Sequence, residues 1–173
     1  TYASSPAIFE RFEGEVEVDI TSRPFYRAVD LAPPLQEVID ARVKAGEPLD
    51  RVIVLAGYND VIRDDRDPSG LPQLLDLADR FDCAVWLTLP ARPGGGRAGD
   101  EGFPPAEAAA WNERVRDLAA DRPAVHVADV WQQVVEADDG EDLLQEDGIH
   151  PVRAGHLALA DAMHRALAEE CGV

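Results

Sequence analysis

The sequence predicts an α/β sandwich built on a mostly parallel sheet. Two observations carry that prediction. Four short apolar or alternating runs, enriched in β-branched residues, are separated by stretches with helical spacing, so strand and helix alternate along the whole length. The length of 173 residues fits one domain with a real core and leaves little room for a second. Right-handed crossovers would then join the parallel neighbours.

The predicted strands are Val16 to Ile20, Arg51 to Ala56, Cys83 to Leu89, and Ala124 to Val130. Between the first two, Leu35, Val38, Ile39 and Val43 place their side chains on one helical stripe, as do Leu71, Leu74, Leu75, Ala78 and Phe81 before the third. Ala108, Trp111, Val115 and Leu118 repeat the pattern before the fourth, and Leu159, Met163, Ala166 and Leu167 repeat it after. Each helix would lay one face on the sheet. Trp86, Trp111 and Trp131 are expected in the core. Ala91 to Pro104, which contains Pro93-Gly94-Gly95-Gly96, reads as a loop after the third strand. Its glycines are followed by Arg97-Ala98-Gly99-Asp100 instead of the Lys-Ser/Thr pair that a phosphate cradle needs.

Sixteen Lys and Arg against 34 Asp and Glu give a formal charge of -18. Such a field repels phosphate backbones and anionic headgroups, so no nucleic-acid partner is expected. No run of about 18 apolar residues occurs, so no membrane span is expected either. The opening Thr1-Tyr2-Ala3-Ser4-Ser5-Pro6 has neither a basic nor an apolar leader region, which leaves the compartment open between cytoplasm and an excised extracellular domain. Cys83 and Cys171 show no metal-ligand spacing and are expected as two idle thiols. The acidic residues Asp60, Asp64, Asp65 and Asp67 lack the ligand pattern of a calcium loop and read as a solvated acidic segment, so no metal site is expected.

In parallel α/β sheets ligands sit at the carboxyl ends of the strands. Gly57-Tyr58-Asn59-Asp60 directly follows an apolar strand, and Asp147-Gly148-Ile149-His150-Pro151 directly precedes the final helix. Gly57 permits a sharp turn, and Asn59 presents an amide donor that suits an oxyanion. Asp147 and His150, three residues apart across a glycine-containing turn, can bring a carboxylate to the imidazole Nδ1, the orienting half of a triad. Pro151 suits the first helical position, which would make His150 an N-cap. An Asx-turn at Asn59 and a capping histidine beside a turn aspartate are the structural alternatives.

Together these blocks resemble the SGNH hydrolases, the GDSL esterase and lipase superfamily. Gly57, Tyr58, Asn59 and Asp60 match its Gly-x-Asn-Asp block, and Asp147, Gly148, Ile149 and His150 match its Asp-x-x-His block. The resemblance covers the chain from Thr1 onward. It implies a three-layer α/β/α sandwich with a flavodoxin-like sheet, acting on acyl esters without a metal or other cofactor. It further implies His150 as general base, Asp147 as its orienting partner, and Asn59 and Gly57 as parts of the oxyanion block.

Two departures matter. The family places a glycine after the strand read here as Val16 to Ile20, where this chain has Thr21-Ser22-Arg23-Pro24-Phe25, so a backbone N–H of Ser22 or Arg23 would stand in. The Gly-Asp-Ser block that holds the nucleophile is absent from residues 1–173. Thr1 to Ser4 reads as the segment directly after such a block, with Ala7 to Phe12 starting the first helix. The expectation is one domain over 1–173 that lacks its first strand, with the nucleophile just before Thr1. Ser4 or Ser5 as a substitute nucleophile, and a silent binding module, are the alternatives. The expected substrate is a small acetyl-like ester. Asp19 to Phe25 bears a looser likeness to SGNH domains of membrane O-acyltransferases, which makes an acetylated sugar, and acyl transfer instead of hydrolysis, a further reading.

Overall fold

Three of the four predicted strands form, and they pair in parallel. The computed structural model describes residues 5–15, 18–21, 25–62, 69–90, 104–137 and 143–172. Helices α1 (Ser5–Phe12) and α2 (Ala28–Ala45) precede strand β1 (Arg51–Val54), and α3 (Tyr58–Ile62) and α4 (Gly70–Ala78) lead to β2 (Cys83–Leu87). Helix α5 (Pro105–Ala119) leads to β3 (Val125–Ala128), which α6 (Val130–Glu136) and α7 (Arg153–Cys171) follow. The sheet order is β1-β2-β3, with Val54 beside Trp86 and Trp86 beside Val127.

The period of two along β2 sorts its side chains between two cores. Val85 and Leu87 enter a cluster with Phe12, Trp131, Val135, Leu159 and Met163 from α1, α6 and α7. Ala84 and Trp86 enter the opposite cluster with Leu71, Leu74, Leu75 and Val115 from α4 and α5. Both faces of the strand are therefore covered, which is why Cys83 to Leu87 reads as an unbroken apolar run. The result is the three-layer α/β/α arrangement that the alternation predicts.

The strand expected over Val16 to Ile20 does not form among the described residues, of which Val18 to Thr21 are irregular. Val18 and Ile20 still pack on the α1/α7 side of the core, as Ile53 and Leu55 do. Alternation is satisfied by burial of one face, but a strand also needs a hydrogen-bonded neighbour, and among the described residues β1 pairs only with β2. The fourth predicted strand also ends early, because Val130 opens α6 and does not extend β3.

The expectation of idle thiols is overturned. Cys83, at the start of β2, and Cys171, at the end of α7, form a disulfide with Cα atoms 5.9 Å apart. Tertiary packing of α7 along β2 brings together two residues 88 positions apart in sequence. The bond lies at the amino edge of the sheet, away from the loops at the carboxyl ends of the strands.

Candidate active site

Four consecutive residues after β1 are each fastened to a different part of the fold. Gly57 adopts φ +119°, and a Cβ there would lie 2.2 Å from Trp111 Nε1 on α5. Glycine is thus required twice, for the backbone conformation and for the indole packed on it. Tyr58 Oη accepts a hydrogen bond from Trp131 Nε1 of α6 at 3.0 Å. Burial pushes the Tyr58 phenol far above its ordinary value, so it stays neutral.

Asn59 Nδ2 donates to the Tyr26 carbonyl at 2.9 Å. The amide is therefore oriented by the segment before α2 and not by an Asx-turn, and it retains a second N–H. Asp60 is 6% exposed and accepts the Ala28 backbone N–H at 3.0 Å, capping the start of α2 from another element. Burial raises its carboxyl above the ordinary range, opposed by that hydrogen bond. This corrects the reading of Asp60 as part of a solvated acidic segment. Asp64, Asp65 and Asp67 lie outside the described residues.

Asp147 and His150 come together as their spacing predicts. Asp147 Oδ2 lies 2.7 Å from His150 Nδ1, while Oδ1 accepts the backbone N–H groups of Ile149 at 2.9 Å and His150 at 3.0 Å. Burial alone would raise the Asp147 carboxyl, but the hydrogen bonds from His150 and Ile149 together hold it below the ordinary value. With Nδ1–H donating to the carboxylate, Nε2 is the acceptor nitrogen of a side chain that is 67% exposed.

The loop carrying this pair is closed as a narrow hairpin. Leu144 bridges to Pro151, Gln145 N–H donates to the His150 carbonyl at 2.7 Å, and Val152 N–H donates to the Leu143 carbonyl at 3.0 Å. Pro151 therefore precedes α7 by two residues, and Val152, not His150, is its N-cap. The proline's lack of an N–H is accommodated by the bridge instead of by a helical first turn. Gly155 on α7 admits the hairpin, because a Cβ there would lie 1.9 Å from the Leu143 carbonyl oxygen.

One apolar cluster underlies both motif blocks. Val61, Leu89 and Ala108 form its centre, and Tyr58, Trp111 and Ile149 pack against it. Helix α5 also fixes the end of β2, since the buried Asn112 accepts the Leu89 N–H at 2.9 Å and donates to the Leu89 carbonyl at 2.8 Å. Asn112, on the inner face of an amphipathic helix, was detectable as a polar residue at a core position. The roles of Trp111, Trp131, Tyr26 and Gly155 leave no local signal.

Of the remaining predicted residues, Ser5 is the first residue of α1, and Ser4 and Ser22 lie outside the described residues. Among the described residues no group of three or more His, Cys, Asp or Glu side chains could hold a metal ion. No helix among them is long and apolar enough to cross a membrane. An imidazole oriented by a carboxylate and an anchored amide donor, next in sequence to Ile149 and Tyr58 of one apolar cluster, are groups suited to acyl transfer.

Comparison with known proteins points the same way. Residues 6–158 match the model of the GDSL-like lipase/acylhydrolase family. Among solved structures, a catalytic mutant of Axe2, an acetylxylan esterase from Geobacillus stearothermophilus, superposes with a TM-score of 0.65 at 18% identity, covering 96% of this chain and 80% of that one. A second variant of the same esterase gives a TM-score of 0.61 at 16% identity, covering 98% and 81%. Among curated proteins the sequence has no match.

Proposed function

The chain belongs to the GDSL-like lipase/acylhydrolase family, and from that premise we propose that it hydrolyses small acetyl-like esters through a Ser-His-Asp triad. The observation that carries the proposal is the 2.7 Å contact of Asp147 with His150 Nδ1, made beside a loop that packs on the same cluster as Tyr58. In this reading His150 Nε2 takes the serine proton as the oxygen attacks the ester carbonyl. The tetrahedral oxyanion receives the second N–H of Asn59 and backbone N–H groups near Gly57 and Ser22. Collapse breaks the bond to the alcohol, which leaves with the proton from His150. Water, deprotonated by the same nitrogen, then releases the acid and the free serine.

We place the nucleophile in an opening strand ahead of Thr1. Supporting this, among the described residues β1 has a free edge, and Val18 and Ile20 pack against the core without a strand partner. Intact mass of the purified protein tests this placement, and a mass of residues 1–173 alone defeats it. Ser5, at the start of α1, would then be the residue to replace.

An acetylated sugar is the favoured substrate class, because the structural neighbours are acetylxylan esterases. Turnover of p-nitrophenyl acetate by the full-length protein decides the reading. His150→Ala is expected to lose at least about 10⁴-fold in kcat, and Asn59→Ala about 10²- to 10³-fold. Equal rates in all three proteins would overturn the triad. A fluorophosphonate probe that labels no serine would favour a silent binding module.

A further inference from the structure

We propose that Phe25, with Tyr26 beside it, is the platform on which the alcohol half of the ester lies, and that this half is an uncharged sugar ring. The inference rests on the ester-hydrolase reading above. Phe25 is the one non-glycine residue among those described with a left-handed backbone, at φ +64°. That conformation is sterically unfavourable for an L side chain, and glycine would relieve it. No core packing compensates, because the ring is 77% exposed. Strain retained without a packing return is a feature of ligand-contacting segments.

Its position ties Phe25 to the reacting centre. The next residue, Tyr26, supplies the carbonyl that holds Asn59 Nδ2 at 2.9 Å. Tyr26 is itself partly exposed. The aromatic ledge is therefore coupled through one carbonyl to the proposed oxyanion donor.

The chemistry of the ledge selects its occupant. A long acyl chain needs an enclosed apolar pocket, whereas an open aromatic face suits a hydrated ring that shows C–H groups on one side and hydroxyls at its rim. The net charge of -18 disfavours carboxylated or phosphorylated alcohols and anionic lipid surfaces alike. An uncharged sugar ring meets both conditions.

The test compares kcat and KM on acetylated xylobiose and on ethyl acetate, whose alcohol has no ring, for the full-length protein, Phe25→Ala and Phe25→Trp. In Phe25→Ala the ratio of the two KM values should rise about tenfold, as the loss of one stacking contact implies. Phe25→Trp should return it to the parent ratio. An unchanged ratio, a change confined to kcat, or a shift in oligomeric state as the sole response overturns the platform. If the parent protein cleaves neither ester, the hydrolase reading falls, and the platform is then judged by NMR titration with xylobiose. Binding that Phe25→Ala abolishes upholds it, and absence of binding to the parent overturns it.

Discussion

The indole of Trp111 and the α-carbon of Gly57 are packed so closely that a Cβ on residue 57 would lie 2.2 Å from Trp111 Nε1. Helix α5 thereby sets the path of the backbone from the end of β1 into Asn59. Gly57→Ala meets two penalties, a left-handed φ costing about 1–2 kcal/mol and the clash with the ring. It should lower the urea midpoint and cut kcat on p-nitrophenyl acetate together. Adding Trp111→Ala should recover the steric part and leave the backbone part. A double-mutant cycle showing no coupling between the two positions would contradict the contact.

Asp60 offers a stability test with a defined sign. Burial raises its folded carboxyl pKa above the unfolded value, so its contribution is fully present below about pH 4 and is lost as pH rises through the folded value. Asp60→Asn keeps an oxygen acceptor for the Ala28 N–H without a buried charge. It should be at least as stable as the parent at pH 7.5, with the difference closing near pH 3.5. Asp60→Ala leaves that N–H unpaired and should lose about 1–3 kcal/mol at both pH values. Urea titrations at the two pH values check the signs, and an Asn variant equally destabilised at both would refute the assignment.

Gly155 sets helix propensity against packing. In an exposed helix interior, Gly→Ala would stabilise by about 1 kcal/mol. At this site the new methyl would meet the Leu143 carbonyl oxygen at 1.9 Å, against the base of the hairpin that carries Asp147 and His150. The clash outweighs the propensity gain, so Gly155→Ala should lower both the melting temperature and kcat. A higher melting temperature with full activity would show that the hairpin does not depend on this approach.

The Cys83–Cys171 disulfide closes a separation of 88 residues, for which the loop-closure estimate is about 4–5 kcal/mol. Thiol titration of the denatured protein should find no free thiols before reduction and two after. Reduction should lower the urea midpoint substantially. Because the bond lies at the amino edge of the sheet, activity at 25 °C in the absence of denaturant should survive reduction. Two titratable thiols in the oxidised, denatured protein would disprove the pairing. Such a bond persists where the surroundings are oxidising.

Some of this architecture was legible in the residues themselves. Alternation of strands and helices dictated the layered sandwich, because burial on two faces of β2 writes itself as a continuous apolar run from Cys83 to Leu87. Asp147 and His150 were readable for the same local reason, since three residues and one turn suffice to join them. Val18 to Ile20, the described part of another predicted strand, are irregular, because periodicity reports which face is buried and not whether a strand partner is in place.

The tertiary structure alone decided the contacts between positions far apart in the chain. The Trp111 indole on Gly57, the Trp131 N–H on Tyr58, the Tyr26 carbonyl on Asn59, and the joining of Cys83 to Cys171 each pair residues at least 33 positions apart. Local pattern carries no record of such pairings, because they are set by which helix lies on which face of the sheet. Sequence named the candidate chemical groups, and packing of the helices around the strand ends determined how Asn59 and His150 are held.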